Sequence, residues 1–336
     1  MSELLRRARK EGKKFQNPVP TRVGGLSVVF KVLPQYLRNT EEKFPLVPPG
    51  PFRTDPKAYL IPPETGLRVT WFGHSSTLIE IDGLRVLIDP VWDERAAPVQ
   101  WAGPKRFFAP TIEIESLPRI DVVLISHDHY DHLGAGSVRR LALAFPSALW
   151  VTSLGVGTIL NGFGVATQKI TELDWTQSTA IPGGLTITSV PTRHFSGRSL
   201  LNRFETLWGA FVLKGSRHTV FYGADTGWWV GFGEIARAHG PFDLTLLEIG
   251  AFHPLWADIH LGPDNAVRAF EAMGAHGLLM PIHWGLFDLA LHGWRQPMER
   301  MTQLIAERGT PVWSPEPGLP TDVFPGRTTC STWWRR

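Results

Sequence analysis

The chain has 336 residues, 34 basic and 31 acidic side chains, 43% hydrophobic residues and one cysteine, Cys330. That length can bury a large core, one cysteine excludes an intrachain disulfide framework and is compatible with a reducing cytoplasm, and no run reaches the roughly 18 apolar residues of a membrane-spanning helix. The net charge of +3 is local: residues 1–14 hold six basic and two acidic residues, leaving 28 against 29 elsewhere, which argues against a nucleic-acid-binding body.

Residues 1–64 are rich in proline and polar side chains and lack clear periodicity. They read as an N-terminal extension or arm packing on a single domain that spans 65–336. The basic tail has two readings: a solvated arm, or a peripheral contact with anionic lipid contributing about 1 kcal/mol per Lys or Arg. Leu26, Val28, Val29, Phe30, Val32, Leu33, Tyr36 and Leu37 would help the second. Arg6-Arg7 lacks the apolar region that follows it in an export signal. Further on, strands are predicted near 67–72, 76–82, 84–89, 121–125, 148–152, 185–190, 207–214, 218–222, 243–248 and 277–282. Helices are predicted near 135–145, 232–239, 264–273 and 296–307. This alternation argues an α/β fold, and 33 Gly with 28 Pro imply long, shaped loops.

The densest signal is His127-Asp128-His129-Tyr130-Asp131-His132, directly after the apolar run 121–125 and before Gly134-Ala135-Gly136. Imidazoles and carboxylates this crowded at a strand's end call for a cation. In extended backbone His127 and Asp131 would stand about 13 Å apart. One ion with bonds of about 2 Å cannot span that, so the loop must curl. The simplest solution is two ions, with His127 and His129 on one and Asp131 and His132 on the other. Three later strands each end in one further candidate ligand: His194, Asp225 and His283.

The His-x-His-x-Asp-His cluster followed by single His, Asp and His candidates resembles the metallo-β-lactamase superfamily. Within it, the chain is most similar to the branch of N-acyl-phosphatidylethanolamine-hydrolysing phospholipase D and its bacterial relatives. The likeness extends over 15–20 (Phe-Gln-Asn-Pro-Val-Pro), 71–76 (Trp-Phe-Gly-His-Ser-Ser), 103–107, 172–175, 223–227, 240–244 and 282–285. It implies a four-layer αβ/βα sandwich with the metals at one edge. It also implies His127, His129 and His194 on one zinc, Asp131, His132 and His283 on the other, and Asp225 bridging. Three departures stand out. The phospholipase relatives tend to carry an acidic residue in place of His253 and a basic one in place of Leu255, and a proline is expected in place of Glu248.

The chemistry this set implies is hydrolysis by a water activated between two Zn²⁺ ions, with iron or manganese also compatible. Asp225, Asp131 and His260 form the expected catalytic group. His260 would orient substrate or protonate a leaving group ahead of the helix start at Gly262-Pro263. His74 reads as a weaker candidate that hydrogen-bonds a ligand, and His218, His239, His276 and His292 as structural or solvated. Trp228, Trp229, His253 and Trp256 are expected to contact substrate, with Trp92, Trp101 and Trp284 also near the metal loops. The leading expectation is a phosphodiesterase acting on a phospholipid of the N-acyl-ethanolamine type. Rivals are a lactone or carboxylic ester hydrolase of the same fold, a superfamily ribonuclease, a di-iron redox protein, and a membrane-binding protein without turnover. A small-molecule or lipid partner is expected and nucleic acid is not; the sequence sets no oligomeric state.

Overall fold

A computed structural model describes residues 4–24, 34–35, 41–199 and 201–336. The apolar positions 26, 28–30, 32–33 and 36–37 lie outside the described residues. In chain order the strands are β1 (Lys10–Glu11), β2 (Lys14–Phe15), β3 (Leu67–Gly73), β4 (Ser76–Ile81), β5 (Leu84–Ile88), β6 (Val122–Ile125) and β7 (Leu149–Ser153). They continue with β8 (Ile170–Leu173), β9 (Ser178–Ile181), β10 (Leu185–Val190), β11 (Ala210–Lys214), β12 (Thr219–Tyr222), β13 (Leu244–Glu248), β14 (Leu278–Ile282) and β15 (Thr321–Asp322). The helices are α1 (Ala135–Ala144), α2 (Val156–Gly162), α3 (Gly231–His239), α4 (Gly262–Ala272) and α5 (Gln296–Arg308).

One sheet has the order β15-β3-β4-β5-β6-β7-β8 and the other β14-β13-β12-β11-β10-β9. Strand parity shows how they pack. Val122 and Leu124 join Val69, Ile79, Ile187, Phe211, Val220 and Leu246 in a core between the sheets. Their neighbours Val123 and Ile125 face the other way, onto Val138 and Leu141 of α1 and Val156 and Leu160 of α2. Both faces of the strand are covered, which is why its sequence is continuously apolar rather than alternating. Phe232 of α3 and Val267 and Phe270 of α4 cover the outside of the second sheet. The result is the four-layer sandwich, each fully buried aliphatic side chain contributing about 1.5–3 kcal/mol.

The long predicted strands and helices are present. Five short elements were not foreseen: the β1–β2 hairpin, α2, β8, β9 and β15. In β8 and β9 only the last residue of each is buried, so they carry little hydrophobic pattern. Residues 207–209 precede β11 rather than belong to it, although Leu207 and Trp208 are buried. The N-terminal segment packs on the domain: Leu5 and Phe15 are buried, and Ala8 N–H donates to Asp174 Oδ1 at 3.0 Å.

Strand direction places the site. β3 is antiparallel to β4, which is antiparallel to β5, and β5 is parallel to β6. β10, β12, β13 and β14 likewise run one way. Each of these strands hands its next residues to a loop at its C-terminal end, the place where a rigid scaffold presents side chains to a ligand.

Candidate metal centre

The six-residue cluster curls as its spacing demands. The backbone N–H groups of His132 and Leu133 both donate to His129 O, at 3.1 and 2.8 Å, closing a turn that carries Asp131 and His132 away from His127 and His129. The tips of β10, β12 and β14 then bring in His194, Asp225 and His283. In the first group His129 Nδ1 lies 2.9 Å from His127 Nε2 and 3.3 Å from His194 Nε2. Asp225 Oδ2 lies 3.5 Å from His194 Nε2 and 3.8 Å from His127 Nε2. In the second group Asp225 Oδ1 is 3.2 Å from both His132 Nε2 and His283 Nε2. Asp131 Oδ2 is 3.2 Å from His283 Nε2 and 3.5 Å from His132 Nε2. Asp225 thus faces one group with each oxygen.

These separations suit a divalent cation. Two ligands bonded at about 2.0–2.1 Å to a tetrahedral ion are roughly 3.3 Å apart. Most of the nitrogen–oxygen distances lie close to that value. His132 Nε2 and Asp225 Oδ1 are buried without a hydrogen-bond partner, which is costly unless a cation occupies the space between them. The ligand atoms of His127, His129, His194 and Asp225 lie within 4.8 Å of one another, and so do those of Asp131, His132, His283 and His74.

A layer of acceptors orients the imidazoles. Asp89, fully buried, takes His132 Nδ1–H at 2.6 Å, Ser126 Oγ–H at 2.5 Å, Ser126 N–H at 2.7 Å and the Tyr222 hydroxyl. Ser126 Oγ also lies 2.9 Å from His127 Nδ1. His194 Nδ1–H donates to Ile259 O at 2.9 Å. Asn17 brackets the backbone of His194, and His283 N–H donates to His74 O at 2.9 Å. His74 and His283 both adopt left-handed backbone, φ +53° and +62°, a conformation that strand tips at functional sites often hold at a cost. Gly250 is required by this crowding, because a Cβ there would stand 1.9 Å from His283 O.

Burial pushes His127 and His194 well below the ordinary histidine value, so both present lone pairs. Burial raises Asp131 and Asp225, but the imidazoles of His132 and His283 outweigh it and hold both well below the usual carboxylate range. Burial lowers His132 and His283, yet Asp225 outweighs it, lifting His132 well above the ordinary value and His283 to about 10. The second group therefore holds positive charge between its carboxylates, a place suited to a metal ion.

All seven expected metal residues converge here. His260 also comes in: its Nδ1 lies 2.5 Å from Glu248 Oε2, and its ring lies 5.1 Å from that of His194 and 5.4 Å from that of His283. The rings of His253 and Trp256 pack against one another, tilted by 33° with centroids 4.6 Å apart, and His253 belongs to none of the candidate metal groups. His253 lines a cavity of about 500 Å³ with Phe252, Leu291 and His292. Trp228 and Trp229, expected to contact substrate, turn their rings elsewhere. Trp229 is 2% exposed and packs in the core with Phe232, while the Arg268 guanidinium covers Trp228 at 3.4 Å, so the pair forms no open apolar face. Asp128 turns away to accept Gly197 N–H and Thr206 Oγ–H. Three participants were not anticipated as partners: Asp89, Asn17 and Glu248. His74, weakly anticipated, has Nε2 2.9 Å from Asp131 Oδ2.

Comparison with known proteins fits this geometry. The model of the beta-lactamase superfamily domain matches residues 84–284. An uncharacterised protein of Mycobacterium tuberculosis is 43% identical over 87% of this chain and 76% of its own. N-acyl-phosphatidylethanolamine-hydrolyzing phospholipase D 1 of Caenorhabditis elegans is 34% identical over 73% of this chain and 71% of its own. An isothiocyanate hydrolase from Delia radicum gut bacteria shares the fold at TM-score 0.60 and 19% identity, covering 77% of this chain and all of that one. With the sandwich, the converging strand tips and the matched domain all in place, this chain belongs to the beta-lactamase superfamily, among its metal-dependent hydrolases.

Proposed function

We propose that this protein is a dinuclear zinc phosphodiesterase that cleaves a phospholipid of the N-acyl-phosphatidylethanolamine type in the manner of a phospholipase D. The observation that carries this reading is Asp225, whose two oxygens face the two ligand groups at 3.2–3.8 Å, an arrangement that would hold one ion in each group. The likeness to the C. elegans phospholipase supports the substrate class. When bound, two zinc ions supply a water ionised near neutral pH and neutralise charge on the phosphoryl oxygens. Asp225 fixes the spacing of the two groups, and Asp131 balances the second. His260, whose Nδ1 lies 2.5 Å from Glu248 Oε2, has Nε2 left to take a proton from the attacking water and pass it to the departing alkoxide. The apolar cavity beside His253 supports a place for an acyl chain, and His292 lines both it and a small cavity at His283. Exposed Lys10, Lys13 and Lys14 on the first hairpin support a peripheral contact with anionic lipid.

The test is turnover by the zinc-loaded protein of N-acyl-phosphatidylethanolamine in mixed micelles, of a bis-aryl phosphodiester and of an aryl lactone. Phosphodiester cleavage with release of the N-acyl alcohol is expected. Faster lactone turnover would overturn the assignment in favour of an ester hydrolase.

A further inference from the structure

Glu248 ends β13 with no exposed surface, and its contacts come from three separate segments of the metal centre. Oε1 accepts the backbone N–H of Thr226, next to Asp225, at 2.8 Å, and that of Leu261, next to His260, at 3.2 Å. Oε2 lies 2.5 Å from His260 Nδ1, within hydrogen-bond distance, and 3.8 Å from His283 Nδ1. Asp225, Glu248, His260 and His283 form a third group whose polar atoms lie within 4.8 Å of one another. A buried carboxylate needs every one of these donors, and no arginine or lysine ion pair is formed with it among the described residues.

We propose that Glu248 is a positioning residue that fixes His260 in one tautomer, with the proton on Nδ1, and ties that ring to the Asp225 loop. Two backbone N–H groups hold one oxygen in place, so the other must face His260. With Glu248 accepting at both oxygens, Nδ1 carries the hydrogen and Nε2 is turned to the substrate. The neighbouring ligands hold their own second nitrogens the same way, through Asp89 and Ile259 O. His260 is built with the same support as a candidate ligand, yet it belongs neither to the group of His127, His129, His194 and Asp225 nor to that of His74, Asp131, His132 and His283.

The Glu248→Gln variant isolates this role. Its amide oxygen stays on Thr226 N–H and Leu261 N–H, so the NH₂ group faces His260 Nδ1 and drives the ring proton to Nε2. In zinc-loaded protein labelled with ¹⁵N-histidine, with the His260 signal identified by its loss in His260→Gln, the wild type is expected to show Nδ1–H and Glu248→Gln to show Nε2–H. The kinetic consequence rests on the phosphodiesterase reading: kcat falls about 10- to 100-fold with KM little changed and zinc content retained. Adding Glu248→Gln to His260→Gln then costs less than roughly twofold more, because both act through one ring. A wild-type His260 protonated on Nε2 overturns the inference by itself, whether or not the variant folds. So does an unchanged tautomer in Glu248→Gln, a loss of zinc, or losses that multiply. Zinc-loaded wild type inactive on every phosphodiester overturns the reaction proposed above, and the tautomer result still decides Glu248.

Discussion

Asn17 and His194 exchange two hydrogen bonds across 177 positions of sequence: the Asn17 amide N–H donates to His194 O at 2.7 Å, and its oxygen accepts His194 N–H at 3.0 Å. The N-terminal segment is thereby part of the metal centre. It holds the backbone of a ligand whose ring is separately fixed by Ile259 O. Replacing Asn17 by Ala leaves both backbone groups of the buried His194 unpaired, at a cost of about 1–3 kcal/mol. Thermal unfolding should fall accordingly, and zinc titration should show weakened binding at one of two sites. Unaltered binding and unfolding would show that the segment merely lies on the domain.

Asp89 touches no candidate ion position yet collects four donors, among them His132 Nδ1. In Asp89→Asn one of these donors meets an NH₂ group instead of an oxygen, so the His132 ring loses its anchor or its tautomer. Metal affinity is expected to drop about 10- to 100-fold. Competition with a chromophoric chelator measures this, and an unchanged affinity would remove Asp89 from the account.

Gly250 faces His283 O so closely that Gly250→Ala must displace the tip of β14. A destabilisation of about 1–3 kcal/mol is expected, with weaker metal retention, because overpacking at a ligand's own backbone moves the ligand. Differential scanning calorimetry with metal analysis of the same sample checks both.

The pH response follows from shifts of opposite sign. His127 and His194, depressed by burial, contribute stability above the ordinary value of 6.5 and lose it as pH falls below that. Asp131 and Asp225, depressed by His132 and His283 despite burial, lose theirs below their ordinary value of 3.8. His132 and His283, raised by Asp225 against the effect of burial, contribute fully below 6.5 and lose that contribution as pH rises, His283 through about 10. Chelated protein should therefore be most stable near pH 6.5 and decline on both sides. Zinc binding at pH 8 should release protons from His132 and His283, read by titration calorimetry in buffers of different ionisation enthalpy. Binding without proton release would contradict the charge state assigned to the second group.

The convergence of the candidate ligands was legible because each stands at the end of an apolar run: His127 after 121–125, His194 after 185–190, Asp225 after 218–222 and His283 after 277–282. Strand pattern and residue chemistry are both local, so they survive in the sequence. The supports were not legible. Asp89 ends an ordinary-looking strand, Asn17 lies in a proline-rich segment, and Glu248 stood out only as a departure from a family pattern. Their roles depend on which loops meet at one sheet edge, which tertiary packing decides. Trp229 shows the converse limit, since its position beside the Asp225 loop says nothing about which face its ring turns to the core.

The proposed dinuclear centre at Asp225 is tested most directly by anomalous diffraction at the zinc edge from crystals of zinc-loaded protein. Two peaks roughly 3.5–4 Å apart are expected, one beside His127, His129 and His194, the other beside Asp131, His132 and His283, with Asp225 between them. A single peak, or zinc bound away from Asp225, would contradict a dinuclear centre.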